Sequence, residues 1–259
     1  MTHTFRILTL NVWNVFGPWE RRRRELVRWF SELQPDAACL QEVRRGPDAD
    51  QLAEIVAELA AEGARFHGTF AGVPYDAGEI GNATLTRTPP ERSHVVPLPG
   101  GDPEEPARTL LCVKAGPAWV MTTHLSPRPH QAPARREQVA AIRDAIGTLA
   151  AEEPGAAFLL AGDLNAPPEA PEVTELLEPV AGLRPVDAWT AGNPTEPGRT
   201  WDNDGNPFTE GQGMPDGRVD YVIVAGDCEV RRARIVCDRP LTGVHASDHY
   251  GVLAEVAGS

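Results

Sequence analysis

The residues best suited to chemistry sit in Phe158-Leu159-Leu160-Ala161-Gly162-Asp163-Leu164-Asn165-Ala166-Pro167. An apolar run enters Gly-Asp and stops at a proline, the pattern of a buried strand whose end presents a carboxylate and a carboxamide at a turn. Extended geometry through Leu164 would turn Asp163 and Asn165 to the same side and Leu164 back to the core. An acid and an amide in one small space suit activation of a water beside a charged transition state. Comparable residues close or open other apolar runs: Asn11, Glu42, His124, Asp220, and Asp248 with His249. Each alone would pass for a solvated strand end. Their recurrence from the first strand to the last points to one site rich in groups that bind metals or carry protons.

The elements that must position them follow from periodicity. Residues 5–11 alternate as a strand ending at Asn11, and 36–43 form a second one ending in Glu42 and Val43. Between them Leu26, Trp29, Phe30 and Leu33 repeat at helical spacing over Trp19–Leu33, closed by Pro35. The arginines at 21–24 carry two readings, a phosphate-holding patch or a solvated helix face. Leu52, Ile55, Val56 and Leu59 predict a helix over 48–62, and Val139, Ile142, Ile146 and Leu149 a later one. Further strands are expected at 81–87, 94–98, 219–224, 229–236 and 251–256, with 109–114 and 119–125 as a hairpin and a short helix near 173–177. The Gly-, Pro- and Asn-rich segment 192–218 has the length of a lip over a site. Strands and helices in succession indicate an α/β fold, in a single domain spanning 1–259.

Composition narrows the partners. With 24 basic against 37 acidic residues the net charge is −13, which repels polyanions unless cations are gathered locally. A nucleic-acid substrate is weakened by this and not excluded. No apolar run has signal-peptide or bilayer-spanning length, so a soluble, cytoplasmic, monomeric protein is expected. Cys39, Cys112, Cys228 and Cys237 lack metal-ligand spacing; reduced structural thiols are expected, with a Cys228–Cys237 pair as the alternative.

The ordered set Leu10-Asn11, Gln41-Glu42-Val43, Gly81-Asn82-Ala83, Thr123-His124-Leu125, Gly162-Asp163-Leu164-Asn165, Arg218-Val219-Asp220-Tyr221 and Ser247-Asp248-His249 resembles the endonuclease/exonuclease/phosphatase superfamily. Its metal-dependent phosphoesterases include deoxyribonuclease I, exonuclease III, neutral sphingomyelinases and inositol polyphosphate 5-phosphatases. The resemblance implies a four-layer α/β sandwich of two mixed sheets packed face to face with helices outside. It implies a phosphoester substrate and Mg²⁺, with Mn²⁺ as the alternative, held by Glu42, Asn11 and Asp248. Asp163 would orient and deprotonate the attacking water, and Asn165, His124 and His249 would donate to the phosphoryl group, with Asn82 also near the substrate. Asp220 is the better partner for His249, because adjacent strand residues such as Asp248 and His249 would face opposite ways. That carboxylate would favour the imidazolium, as a phosphate donor or a proton carrier. Arg135 and Gln138 resemble a pair that would brace the His124 loop, or else belong to a solvated helix start.

Two features bear on substrate. Asn11-Val12-Trp13 places an aromatic where apurinic endonucleases tend to carry Asp, so Trp13 would pack beneath the site, against a substrate group, or in the core. Trp201, within Thr200-Trp201-Asp202, is a further expected substrate contact. A small or lipid-like phosphodiester or phosphomonoester is favoured over duplex DNA, because the chain is acidic and lacks clustered basic and aromatic residues. A DNA or RNA nuclease is the alternative, and an inactive binding protein a third.

Overall fold

The computed structural model describes residues 4–47 and 49–258. Strand β1 (Thr4–Asn11) runs parallel to β2 (Ala37–Arg45) by way of helix α1 (Trp19–Leu33). Helix α2 (Gln51–Ala61), the hairpin β3 (His67–Tyr75) and β4 (Gly78–Thr86), and the late strands β11 (Cys228–Val236) and β12 (Gly251–Gly258) complete a six-stranded sheet in the order β11-β12-β1-β2-β4-β3. The second six-stranded sheet contains β5 (Arg92–Leu98), β6 (Arg108–Ala115), β7 (Ala118–His124), β8 (Ala157–Asp163), β9 (Val186–Asp187) and β10 (Asp220–Ala225), in the order β5-β6-β7-β8-β10-β9. Helices α3 (Ala132–Glu152), α4 (Pro171–Leu176) and α5 (Ala188–Gly192) connect its strands.

Strand alternation sorts the side chains into three packed layers. Leu8, Leu10, Ala38 and Leu40 turn outward onto Leu26, Phe30 and Ile55 of α1 and α2. Trp119, Met121, Phe158 and Leu160 turn outward onto Val139, Ile142 and Ile146 of α3. Residues of opposite parity, including Ile7, Cys39, Val120, Leu159, Val222 and Val252, interdigitate between the sheets. The result is the expected four-layer sandwich. The same inward parity carries the active residues: Ile7-Thr9-Asn11, Val120-Thr122-His124 and Leu159-Ala161-Asp163 each run from apolar to polar toward one end. Between these ends Thr84 and Thr122 hydroxyls meet across the sheets at 2.6 Å.

Several expectations change. The start of the expected helix at residue 48 lies outside the described residues, and α2 begins at Gln51, where Asp50 caps it by accepting from the Ala53 amide. Strand β3 was not expected; its glycines and Pro74 hide the alternation, and it forms by pairing along β4. Ser247-Asp248-His249 lie in the loop before β12, not in the strand. All four cysteines are free, and Cys228 and Cys237 flank opposite ends of β11, so they cannot pair. Among the described residues no helix is long and apolar enough to cross a membrane.

Candidate active site

Register assembles the first row. Parallel pairing of β7 with β8 sets His124 opposite Asp163, and antiparallel pairing of β10 with β8 sets Asp220 opposite Asp163 on the other side. Asn11 arrives from the facing sheet, its Nδ2 3.1 Å from both Asp163 Oδ2 and Glu42 Oε1. Glu42 reaches inward because β2 is irregular there: pairing with β4 shifts between Leu40 and Val43, and Glu42 adopts φ 56°. This bulge re-aims a carboxylate that regular alternation would send the other way.

Asp163 is the hub. Its Oδ1 accepts the Asn165 backbone N–H at 2.9 Å, and its Oδ2 faces His124 Nε2 at 3.5 Å and His249 Nε2 at 3.7 Å. His249 Nδ1 lies 2.9 Å from Asp220 Oδ2, as expected. Burial alone would push His249 down, but Asp220 and Asp163 outweigh it and hold the imidazole well above its ordinary 6.5. His124 shares Asp163 but, among the described residues, has no second carboxylate like Asp220 on its ring; burial, Arg108 and His249 keep it well below 6.5. The two imidazoles flanking Asp163 therefore differ, one cationic and one neutral. Burial and the charge of Asp220 push Asp163 up to about 7, against the opposing pull of His249 and the Asn11 and Asn165 hydrogen bonds.

Glu42 and Asp248 form a second group. Burial raises both carboxyls, and Asp248 raises Glu42 further by like-charge repulsion. Gln212 Nε2 donates to Asp248 Oδ2 at 3.0 Å, and Asn206 holds the Ser247 and Asp248 carbonyls at 2.9 and 3.0 Å. Neither acid has a salt-bridge partner among the described residues. A half-buried and a buried oxygen donor that repel one another fit a hard divalent cation. Asp163, Asp220 and His249 also bring ligand-capable atoms within 4.8 Å of one another. Either group offers donors for such an ion, and in this one the His249 ring stands between the two carboxylates.

The other expected site residues divide. Asn11 Oδ1 accepts the Trp13 N–H at 3.0 Å, which orients its amide as a donor to the two acids. Asn165 adopts φ 50°, so extended geometry does not persist past Asp163; its Nδ2 donates to the Leu125 carbonyl at 3.1 Å. Asn82 is 3% exposed, with Nδ2 on the Thr109 carbonyl at 2.9 Å and Oδ1 unpartnered. Trp201 is 1% exposed and packs nearly perpendicular to His249, 4.9 Å between centroids. It supports the imidazole and cannot be the expected substrate contact. Trp13 packs on Phe208 and on the Arg22 guanidinium, not in the cleft. Gln138 and Arg135 do brace the loop after His124, through the Ser126 amide and carbonyl.

A cleft of about 370 Å³ opens over this centre, with Glu42, Asn82, Arg108 and His124 among its lining. Sequence reasoning missed Arg108, whose buried Nε has no partner; nothing in its local pattern marks it. It also missed Arg22, which is fully buried and donates to the carbonyls of Val12, Phe16 and Ala246 at 2.7 to 3.1 Å. Here a signal existed: Arg22 lies at i−4 from Leu26, on the apolar face of α1. Neither expected reading of the 21–24 run describes it.

Residues 8–249 match the Endonuclease/Exonuclease/phosphatase family. No curated protein matches the chain. Among solved structures, truncated Caenorhabditis elegans TDP2 is 20% identical with a TM-score of 0.77, covering 99% of this chain and 98% of that one. D. rerio TDP2 complexed with single strand DNA product is 21% identical with a TM-score of 0.77, covering 98% of each chain. An endonuclease/exonuclease/phosphatase from Beutenbergia cavernae DSM 12333 is 25% identical with a TM-score of 0.72, covering 99% of this chain and 72% of that one. With this match over nearly its whole length, and with the acids, amides and imidazoles of its motifs gathered at one end of a two-sheet sandwich, the chain belongs to the endonuclease/exonuclease/phosphatase family.

Proposed function

We propose that this family member hydrolyses phosphoesters by in-line attack of a water that Asp163 deprotonates. The observation that carries the reading is Asp163 itself, a buried carboxylate pushed up to about 7 between one cationic and one neutral histidine. A base with its pKa near the working pH combines correct ionisation with driving force for proton transfer. Glu42 and Asp248 would hold Mg²⁺ or Mn²⁺, which when bound supplies Lewis-acid polarisation of a phosphoryl oxygen and steadies leaving-group charge. His249, fixed by Asp220, donates to the phosphoryl oxygens as a cation; neutral His124 donates beside it. Asn165 and Arg108 face the charge that develops.

A compact phosphoester is the favoured substrate, since the net charge is −13 and repels a polyanion. A nuclease is the second reading, favoured by the likeness to a TDP2 structure that holds a single-strand DNA product. A panel of bis-p-nitrophenyl phosphate, nucleotides, phosphoinositides, sphingomyelin and oligonucleotides, run with Mg²⁺, Mn²⁺ and chelator, tests both. Turnover should need the metal and vanish in Asp163→Asn. Full phosphodiesterase turnover in that variant would defeat the mechanism, and a steep salt dependence confined to oligonucleotides would select the nuclease.

A further inference from the structure

We propose that Phe16, with Val73, Tyr75 and Ile80 of the β3–β4 hairpin, forms an apolar subsite for a single-ring aryl substituent on the phosphoester. The proposal rests on the reading of the cleft floor as the phosphoryl site. These four residues line the cavity that holds Glu42, Asn82 and His124. Its floor is polar and charged; this flank is not.

The backbone of the β1–α1 loop is held in a costly shape. Trp13, Asn14 and Gly17 have φ of 56°, 45° and 61°, and the left-handed region costs a non-glycine residue roughly 1–2 kcal/mol. A Cβ on Gly17 would come within 2.9 Å of the Trp13 ring. Arg22 anchors the loop from below: its Nη2 donates to the Asn14 and Phe16 carbonyls at 2.9 and 2.7 Å, and Gln51 Nε2 adds a second donor to the Asn14 carbonyl at 2.7 Å. With the carbonyls drawn inward, Val15 and Phe16 are left 37% and 48% exposed. A mobile loop would fold such side chains down; a strained, anchored one that presents a phenyl ring at a cleft points to a ligand.

The opposite wall is equally fixed. Arg44 NH1 donates to the Tyr75 carbonyl at 2.6 Å, and its guanidinium lies 5.2 Å from the Tyr75 ring centroid. Charge at the rim selects the occupant. Glu104 and Glu105 stand there, and Arg128 is already paired with Glu105 at 2.8 Å. Glu104 and Glu105 at the rim disfavour a further anionic group, and rings at Phe16 and Tyr75 suit a neutral planar one.

The test uses two esters with the same leaving group, p-nitrophenyl phenylphosphonate and p-nitrophenyl methylphosphonate, with the full chain and Mg²⁺. The phenyl ester should be favoured in kcat/KM by about tenfold, the scale expected for burying part of one ring. Phe16→Ala should bring that ratio close to one, mainly through KM, and Ile80→Ser on the opposite wall should do likewise. Phe16→Leu should retain part of the preference. Circular dichroism melts identify any variant that fails to fold. A wild-type ratio near one, or a ratio unchanged in both Phe16→Ala and Ile80→Ser, would overturn the subsite while leaving the phosphoesterase reading intact. Absence of metal-dependent p-nitrophenolate release from either ester and from the wider panel would overturn both. Oligothymidylate turned over faster than the phenyl ester, with loss of that advantage in Phe16→Ala, would assign the subsite to a nucleobase and overturn the aryl assignment.

Discussion

His249 is held between two acids, its Nδ1 2.9 Å from Asp220 Oδ2 and its Nε2 3.7 Å from Asp163 Oδ2. The arrangement engages Nδ1 with Asp220, turns Nε2 toward Asp163 and favours the charged ring. Asp220→Asn should lower the His249 pKa toward or below 6.5, seen in the imidazole proton shifts by NMR, and reduce kcat by about 10²–10⁴-fold. The stability sign follows from linkage. A histidine raised in the folded state contributes its full stabilisation below its unfolded value and loses it as pH climbs through the raised folded one. The gap in urea stability between wild type and Asp220→Asn should therefore be wider at pH 6 than at strongly alkaline pH. A wild-type His249 that titrates below 6.5 in the metal-free protein would refute the ion-pair account.

Glu42, at the wall of the cleft, and Asp248 repel one another, which makes Glu42→Gln informative in two directions. Calorimetric Mg²⁺ binding should be lost or weakened by at least about tenfold, since a hard cation depends on the anionic oxygen. The metal-free variant should melt ~2–4 °C higher, the shift expected for about 1 kcal/mol of relieved repulsion in a chain of this size. Unchanged Mg²⁺ affinity would move the cation site away from Glu42.

Arg22 ties the loop after β1 to the loop before β12 through the Val12 and Ala246 carbonyls, at 2.7 and 3.1 Å. Lysine keeps the charge and loses the planar fork. Arg22→Lys should cost about 2–4 kcal/mol in denaturant unfolding, because buried carbonyls are left without donors. Since Ala246 stands two residues before Asp248, Mg²⁺ affinity should fall by about 10–100-fold, the scale of losing a support behind a ligand. Wild-type affinity in a folded Arg22→Lys protein would show that the two loops hold their places without it.

The candidate row at the strand ends was legible in the sequence because strand parity governs it. Asp163, His124, Asp220 and Asn11 each end or open a run whose inward positions could be counted, and register then sets them side by side. What parity does not govern was hidden. Asn165 turns left-handed, Glu42 reaches the site through a bulge, and both depart from the extended geometry that alternation assumes. Gln212 is brought in by tertiary approach of an irregular segment, for which no local periodicity exists, and Arg108 opens β6 where the acidic, proline-rich loop before it hides the start of the strand. Arg22 was legible and was obscured by its charged neighbours.

Trp201 offers the last discrimination, between a residue that touches substrate and one that holds a catalytic group. Thr200 Oγ1 accepts the Val219 and Asp220 amides at 3.0 and 3.2 Å, and its carbonyl accepts the Tyr250 amide at 2.7 Å, so Trp201 is fixed between Asp220 and the residues that follow His249. Buried at 1% exposure against the imidazole, it can act on the reaction only through His249. Trp201→Leu should destabilise the fold by about 2–4 kcal/mol, somewhat less than full truncation of a buried tryptophan. In the remaining folded protein kcat should fall about tenfold while KM holds within a factor of two, because a misplaced donor weakens the transition state more than the ground state. A rise in KM at unchanged kcat would place substrate against Trp201 and require the cleft to open by a movement absent from this packing.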